Sequence, residues 1–198
     1  MTAAVVAMLL AGCTSGAVRS STGKTGPTTR SGHASARPNG PSASSAAPAA
    51  ESVLDCGAAA VVDVVAPLQV VLGVVALPIS PGYPALQTSL SGDGHRALRL
   101  FAKTGLFFRP GATFELIVPA GFTSRLSIGW STPSHRVVVR NCANPGGGGW
   151  LVLVGGYWID YPACVPIIVR AGGKQQQVHI GVGKACPGQR PPQEPSQS

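Results

Sequence analysis

The sequence predicts an all-β domain: an antiparallel sandwich of about eight or nine short strands, Ig-like or jelly-roll-like, with a barrel as the alternative. Three observations point there. The apolar runs are short and rich in β-branched and aromatic residues, and Gly or Pro ends each one. Gly (26) and Pro (18) together exceed a fifth of the 198 residues, placed between those runs. Charged residues make up only 11%, and the helical spacing of Glu, Lys and Leu is almost absent.

At the N-terminus, residues 3–12 read AAVVAMLLAG, an apolar run too short to span a bilayer as a mature helix. It ends in Leu10-Ala11-Gly12-Cys13. This stretch resembles the bacterial lipoprotein signal peptide, whose lipobox is Leu, two small residues and Cys. The resemblance implies cleavage before Cys13 and a diacylglyceryl group on its thiol. Several acyl chains would then anchor the chain stably, where one would be marginal. No Lys or Arg precedes the run, so a positively charged start would have to lie upstream of Met1. Plain secretion is the alternative. Residues 13–52 are Ser-, Thr-, Gly-, Ala- and Pro-rich and read as a disordered tether. Such a tether would hold a domain roughly 35 Å from its anchor.

The domain is expected over residues 53–187. Val61, Val62, Val64 and Val65 read as a strand or as one helical turn following Asp55. QVVLGVVAL (69–77) reads as one central strand buried on both faces. RALRLFAK (96–103) alternates as a strand with one wet face does, and Leu106-Phe107-Phe108 follows Gly105. TFELIV (113–118), SRLSIGW (124–130) and RVVVRNC (136–142) are further strands. Trp150–Val154 and Tyr157–Tyr161 flank Gly155-Gly156, read as a two-residue hairpin with a bulge as the alternative. Pro162 and Pro166 place Cys164 at a sheet edge or between strands. Ile167–Ala171 and Gln175–Val182 flank Gly172-Gly173, a second hairpin signal. Residues 188–198 read as a disordered tail.

FAKTGLFFRPG, GWLVLVGGYWID and HIGVGKAC, with an Arg-over-Lys bias, carry a looser similarity. The domain resembles uncharacterised secreted or lipid-anchored proteins of GC-rich Gram-positive bacteria. That resemblance implies no activity.

With Cys13 lipidated, Cys56, Cys142, Cys164 and Cys186 remain, an even number suited to two disulfides in an exported domain. Three connectivities are open. A two-residue turn at Gly172-Gly173 sets Cys164 opposite Gly181, so a Cys164–Cys186 bridge would need the chain to fold back. The reading taken is therefore Cys56–Cys164 with Cys142–Cys186. The gaps of 86, 22 and 22 residues do not fit the close pairs of a zinc site.

The net charge of +8 is spread along the chain without a basic stripe, which argues against nucleic-acid binding. His33, His95, His135 and His179 form no recognisable site. His95 follows Gly92-Asp93-Gly94 and His135 follows Ser134, yet no G-x-S-x-G elbow accompanies them. Paired carboxylates are hard to assemble from the five acids of the domain. The remaining functional candidate is aromatic. In a strand, Trp158 and Asp160 share one face, and Tyr157, Ile159 and Tyr161 the other. Asp160 makes the Trp158 face the wet one, so Trp158 is expected to be more exposed than Tyr157. The sequence thus suggests a lipid-anchored protein on the outer face of the cell membrane, with no cofactor. It would bind an envelope glycan or protein without catalysis; an envelope-acting hydrolase is the alternative.

Overall fold

The structure is a computed structural model that describes residues 50–63, 67–92, 97–144 and 147–193. Residues 1–49, which hold the expected leader, Cys13, His33 and most of the expected tether, lie outside the described residues, as do Asp93 and His95. The fold is all-β, built of two sheets and not closed into a barrel. Among the described residues no helix is long and apolar enough to cross a membrane.

Twelve strands are present among the described residues. In chain order they are β1 (Ser52–Val53), β2 (Ala60–Val62), β3 (Gln69–Val71), β4 (Val75–Leu77), β5 (Ser89–Leu90) and β6 (Leu100–Phe108). Then come β7 (Thr113–Ile117), β8 (Leu126–Gly129), β9 (Arg136–Arg140), β10 (Trp150–Ile159), β11 (Ala163–Ala171) and β12 (Lys174–Val182). One sheet has the order β1-β9-β7-β11-β12. The other has β2-β10-β6-β4-β3, with β5 added to β6 and β8 to β10. Pairing is antiparallel except between β1 and β9.

The core fills the space between the sheets. Alternate residues of β6 (Ala102, Leu106, Phe108) and β10 (Leu151, Leu153, Tyr157, Ile159) line it from one side. Phe114, Leu116, Val137, Val139, Val165, Ile167, Val169 and Ile180 line it from the other. Phe108 and Phe114 meet across it with ring centroids 5.8 Å apart.

Several local expectations change. In the first segment Val61 and Val62 are strand, and Val64 and Val65 lie outside the described residues. Asp55 caps a 3-10 turn over Cys56–Ala58, and β2 follows. QVVLGVVAL is a hairpin and not one strand. Leu72 (φ 48°) and Gly73 (φ 75°) adopt left-handed backbone and turn β3 onto β4. Within this hairpin β4 is buried throughout, and Val70 on β3 is exposed.

Gly155-Gly156 is neither hairpin nor bulge. β10 runs straight through it, paired to β6 in unbroken register from Leu151↔Phe108 to Ile159↔Leu100. These glycines supply room. A Cβ on Gly155 would lie 2.2 Å from the Gly129 carbonyl oxygen, and one on Gly156 2.0 Å from that of Ala102. Gly172 (φ 53°) and Gly173 (φ 72°) do form the expected turn between β11 and β12. The segment after 187 is tied down in part: Ala85 N–H donates to Arg190 O at 2.9 Å, and Gly82 N–H to Gly188 O at 2.9 Å.

The disulfides are Cys56–Cys142 and Cys164–Cys186, which corrects the expected pairing. Cys164 does stand opposite Gly181. The chain then folds back at Gly183 (φ 68°), whose N–H donates to Leu86 O at 2.7 Å, and Cys186 returns to within 4.9 Å of Cys164, Cα to Cα. The other bridge follows from β1 lying parallel to β9, which carries Cys56 and Cys142 out of the sheet side by side.

Candidate binding site

Trp158 lies outside the inter-sheet core and Tyr157 within it, so the two rings do take opposite faces of β10. Trp158 is the less buried of the pair, but it is only 9% exposed against 0% for Tyr157. The Phe101 ring packs on it at 4.6 Å between centroids. Phe101 also lies over Gly156, whose missing side chain leaves the space for it. Trp158 is therefore part of a packed outer layer and offers no open ring for stacking. Asp160 is turned to a structural task. Its Oδ2 accepts from Arg125 Nε at 3.3 Å, and its Oδ1 from Tyr161 N–H at 2.8 Å. The Arg125 guanidinium in turn sits 4.1 Å from the centre of the Tyr161 ring.

Of the residues considered for hydrolysis, His135 keeps a buried Nε2 with no hydrogen-bond partner among the described residues, and Ser134, Asp55 and Glu115 are engaged. Ser134 is fully buried, and its hydroxyl donates to the carbonyls of Ile128 (3.3 Å) and Arg136 (3.0 Å). Asp55 Oδ1 accepts from Gly57 N–H at 2.9 Å. Glu115 is bound by Arg136. Among the described residues no group of three or more His, Cys, Asp or Glu gathers as metal ligands.

A different place has binding geometry. The solvent face of the five-stranded sheet holds a cleft of about 410 Å³ lined by Thr113, Glu115, Arg136, Arg170, Lys174 and Gln175 together with the Gly172-Gly173 turn. The strand register builds it. Glu115 on β7 stands opposite Arg170 on β11, which stands opposite Gln175 on β12. The row alternates with the buried Phe114, Leu116 and Val169, so the pleat aims its polar side chains outward.

The cleft carries three cations and one carboxylate. Arg136 is held by two acids, with Nη2 on Glu115 and Nη1 on Glu51 at 3.0 Å. The hydrogen bond to Glu115 raises its guanidinium above the ordinary value, so it is a fixed charge. Arg170 differs. Its Nε donates to Gln175 Oε1 at 2.9 Å, which orients the plane. Among the described residues, neither Arg170 nor Lys174 forms an ion pair. An oriented guanidinium with its outer N–H groups unspent suits a planar oxyanion, and a flexible ammonium beside it adds a point charge.

The sequence scan missed this site because its residues are scattered over four strands and are individually ordinary surface polars. Only the β9–β7–β11–β12 register assembles them. Comparison with protein-family models, with curated proteins and with solved structures finds no match for the chain.

Proposed function

We propose that the chain is an exported, lipid-anchored envelope protein whose disulfide-bonded domain binds acidic envelope polymers without transforming them. The observation that carries the binding reading is the Arg170–Lys174 pair. These two unpaired cations share one cleft, and one of them is already oriented by Gln175. The chemistry it suits is a carboxylate or phosphate repeated along a glycan or polyol chain. Two disulfides are compatible with an oxidising compartment outside the cytoplasm. Leu10-Ala11-Gly12-Cys13 supports attachment by lipid at Cys13, and the Ser- and Pro-rich segment after it supplies reach.

Two experiments test the two halves. Metabolic labelling with an alkyne fatty acid should mark the wild-type chain and spare Cys13→Ser, which should appear in the medium. A chain still labelled after Cys13→Ser refutes the anchor. Cosedimentation with wall material should be strong for the wild type and lost when carboxylates and phosphates are removed chemically. Equal retention on the neutralised wall refutes the ligand class.

A further inference from the structure

We propose that the outer face of the seven-stranded sheet docks on the surface of an anionic membrane. The strands β2, β3, β4, β5, β6, β8 and β10 contain no Asp or Glu, and Lys103 is their one charged side chain. An antiparallel sheet with one face in water alternates apolar and polar residues. The five-stranded sheet does so, with Glu115, Arg170 and Gln175 alternating with Phe114, Val169 and Val178 on their strands. The seven-stranded sheet does not. Along β10, Leu151 and Leu153 turn toward the core, and Trp150, Val152 and Val154 turn away from it. The register brings Val62 beside Trp150, Phe107 beside Val152, and Val70 to the same face through Ala76.

This patch is open. Val154 is 63% exposed and Val70 42%, and Val62, Phe107 and Val152 are half-buried. Gly105 keeps it low. A Cβ there would meet the Phe107 ring at 2.6 Å and Val152 Cγ2 at 2.9 Å, so both side chains lie across the strand. A contiguous apolar patch on a sheet face is a docking surface and not a random scatter of apolar residues.

Charge identifies the occupant. Arg109 and Lys103 bracket the patch along β6, and both are exposed. The Arg109 guanidinium lies 4.1 Å from the centre of the Trp150 ring, which places it on this face. Two cations with no acid in the strands between them suit a negatively charged plane. A second copy stacked on the same face would bring more cations and no carboxylate to receive them. A bilayer surface meets every part of the patch. Valines and Phe107 enter the acyl boundary, Trp150 sits at headgroup depth, and Lys103 and Arg109 extend to lipid phosphates. That a membrane is within reach rests on the anchor reading at Cys13, whose tether of roughly 35 Å lets the domain settle back on the bilayer. The Arg170–Lys174 cleft opens on the opposite sheet, and would then face away from the lipid.

The test is cosedimentation of the full, disulfide-bonded chain carrying Cys13→Ser, so that no acyl chain contributes, with vesicles of phosphatidylcholine and about one-third phosphatidylglycerol. The chain should bind these and bind pure phosphatidylcholine more weakly. Val154→Asp, at an exposed position, should keep the fold by circular dichroism and lower vesicle affinity at least about tenfold. Lys103→Gln should lower it about fivefold on the anionic vesicles and leave binding to neutral ones unchanged. Nitroxide-labelled lipid should broaden the amide signals of Val62, Phe107, Val152 and Val154, which separates this face from the apolar residues 3–12. Arg170→Ala with Lys174→Ala should leave vesicle binding intact, and Val154→Asp should leave binding to acidic polymer intact, so the face and the cleft fail independently. Vesicle binding indifferent to Val154→Asp, or lost with the Arg170 and Lys174 changes, overturns the proposal. So does a dimer in sedimentation equilibrium that Val154→Asp dissociates, which would put a second copy on this face.

Discussion

Gly155→Ala is the sharpest test of how β10 is packed. The new Cβ would lie 2.2 Å from the Gly129 carbonyl oxygen and 2.5 Å from Trp130 Cα. Ordinary carbon contacts need about 3.5 Å or more, so more than an ångström must be found. Both obstructing atoms are backbone, and β8 is fixed to β10 from Gly156↔Gly129 to Ile159↔Leu126. Rotamer changes cannot relieve the clash; β8 must move, carrying the buried Leu126 and Ile128 with it. Overpacking costs about 1–3 kcal/mol in general, and a backbone obstruction belongs at the upper end. At about 2–4 °C per kcal/mol for a domain of this size, the melting temperature should fall by roughly 6–12 °C. Differential scanning calorimetry of the oxidised protein reads this directly. Gly173→Asn is the matched control. Gly173 needs left-handed backbone but has open space around it, and Asn tolerates that backbone, so the cost should stay within about 1 kcal/mol. If Gly155→Ala melts within about 2 °C of the wild type, the close approach of β8 to β10 is wrong.

Other outcomes follow from the same packing. The Tyr157 hydroxyl is buried with no hydrogen-bond partner among the described residues, so Tyr157→Phe should stabilise by about 1 kcal/mol in urea titrations. Burial also raises the Tyr157 pKa, which gives a pH signature. Above about pH 10 the unfolded chain ionises this phenol and the folded one resists, so stability present below pH 10 is lost as pH rises. Tyr157→Phe should remove that part of the alkaline loss. Chain entropy assigns about 4.6 kcal/mol to the bridge spanning 86 residues and about 3.4 to the one spanning 22. The Cys56→Ser, Cys142→Ser pair should therefore unfold in less denaturant than the Cys164→Ser, Cys186→Ser pair. Binding to acidic polymer should weaken steeply between low and physiological salt, and Arg170→Ala with Lys174→Ala should flatten that dependence.

How far the sequence could be read depends on what kind of signal each feature leaves. Strand positions were legible because Gly and Pro punctuate them: β7, β9 and β12 lie within a residue or two of their expected ranges. Paired glycines were ambiguous, because a glycine kept for left-handed backbone and one kept for lack of a side chain look alike in sequence. Gly172-Gly173 is the first kind and Gly155-Gly156 the second. The turn at Leu72-Gly73 was hidden inside an apolar run, since a leucine in left-handed backbone leaves no compositional mark. The Cys56–Cys142 bridge depends on the two-residue strand β1, too short to carry any pattern. The direction in which Trp158 points was legible from alternation. Its burial was not, because it depends on Phe101 reaching across from β6 over Gly156.

The central claim is that acidic ligand is taken at the Arg170–Lys174 cleft, and amide chemical-shift mapping on the oxidised protein tests it most directly. On titration with an acidic polysaccharide, the largest shifts should fall on Thr113, Glu115, Arg136, Arg170, Lys174 and Gln175, and Arg170→Ala with Lys174→Ala should abolish them. Shifts confined to the Phe101 and Trp158 face of the other sheet, or none at all, would contradict it.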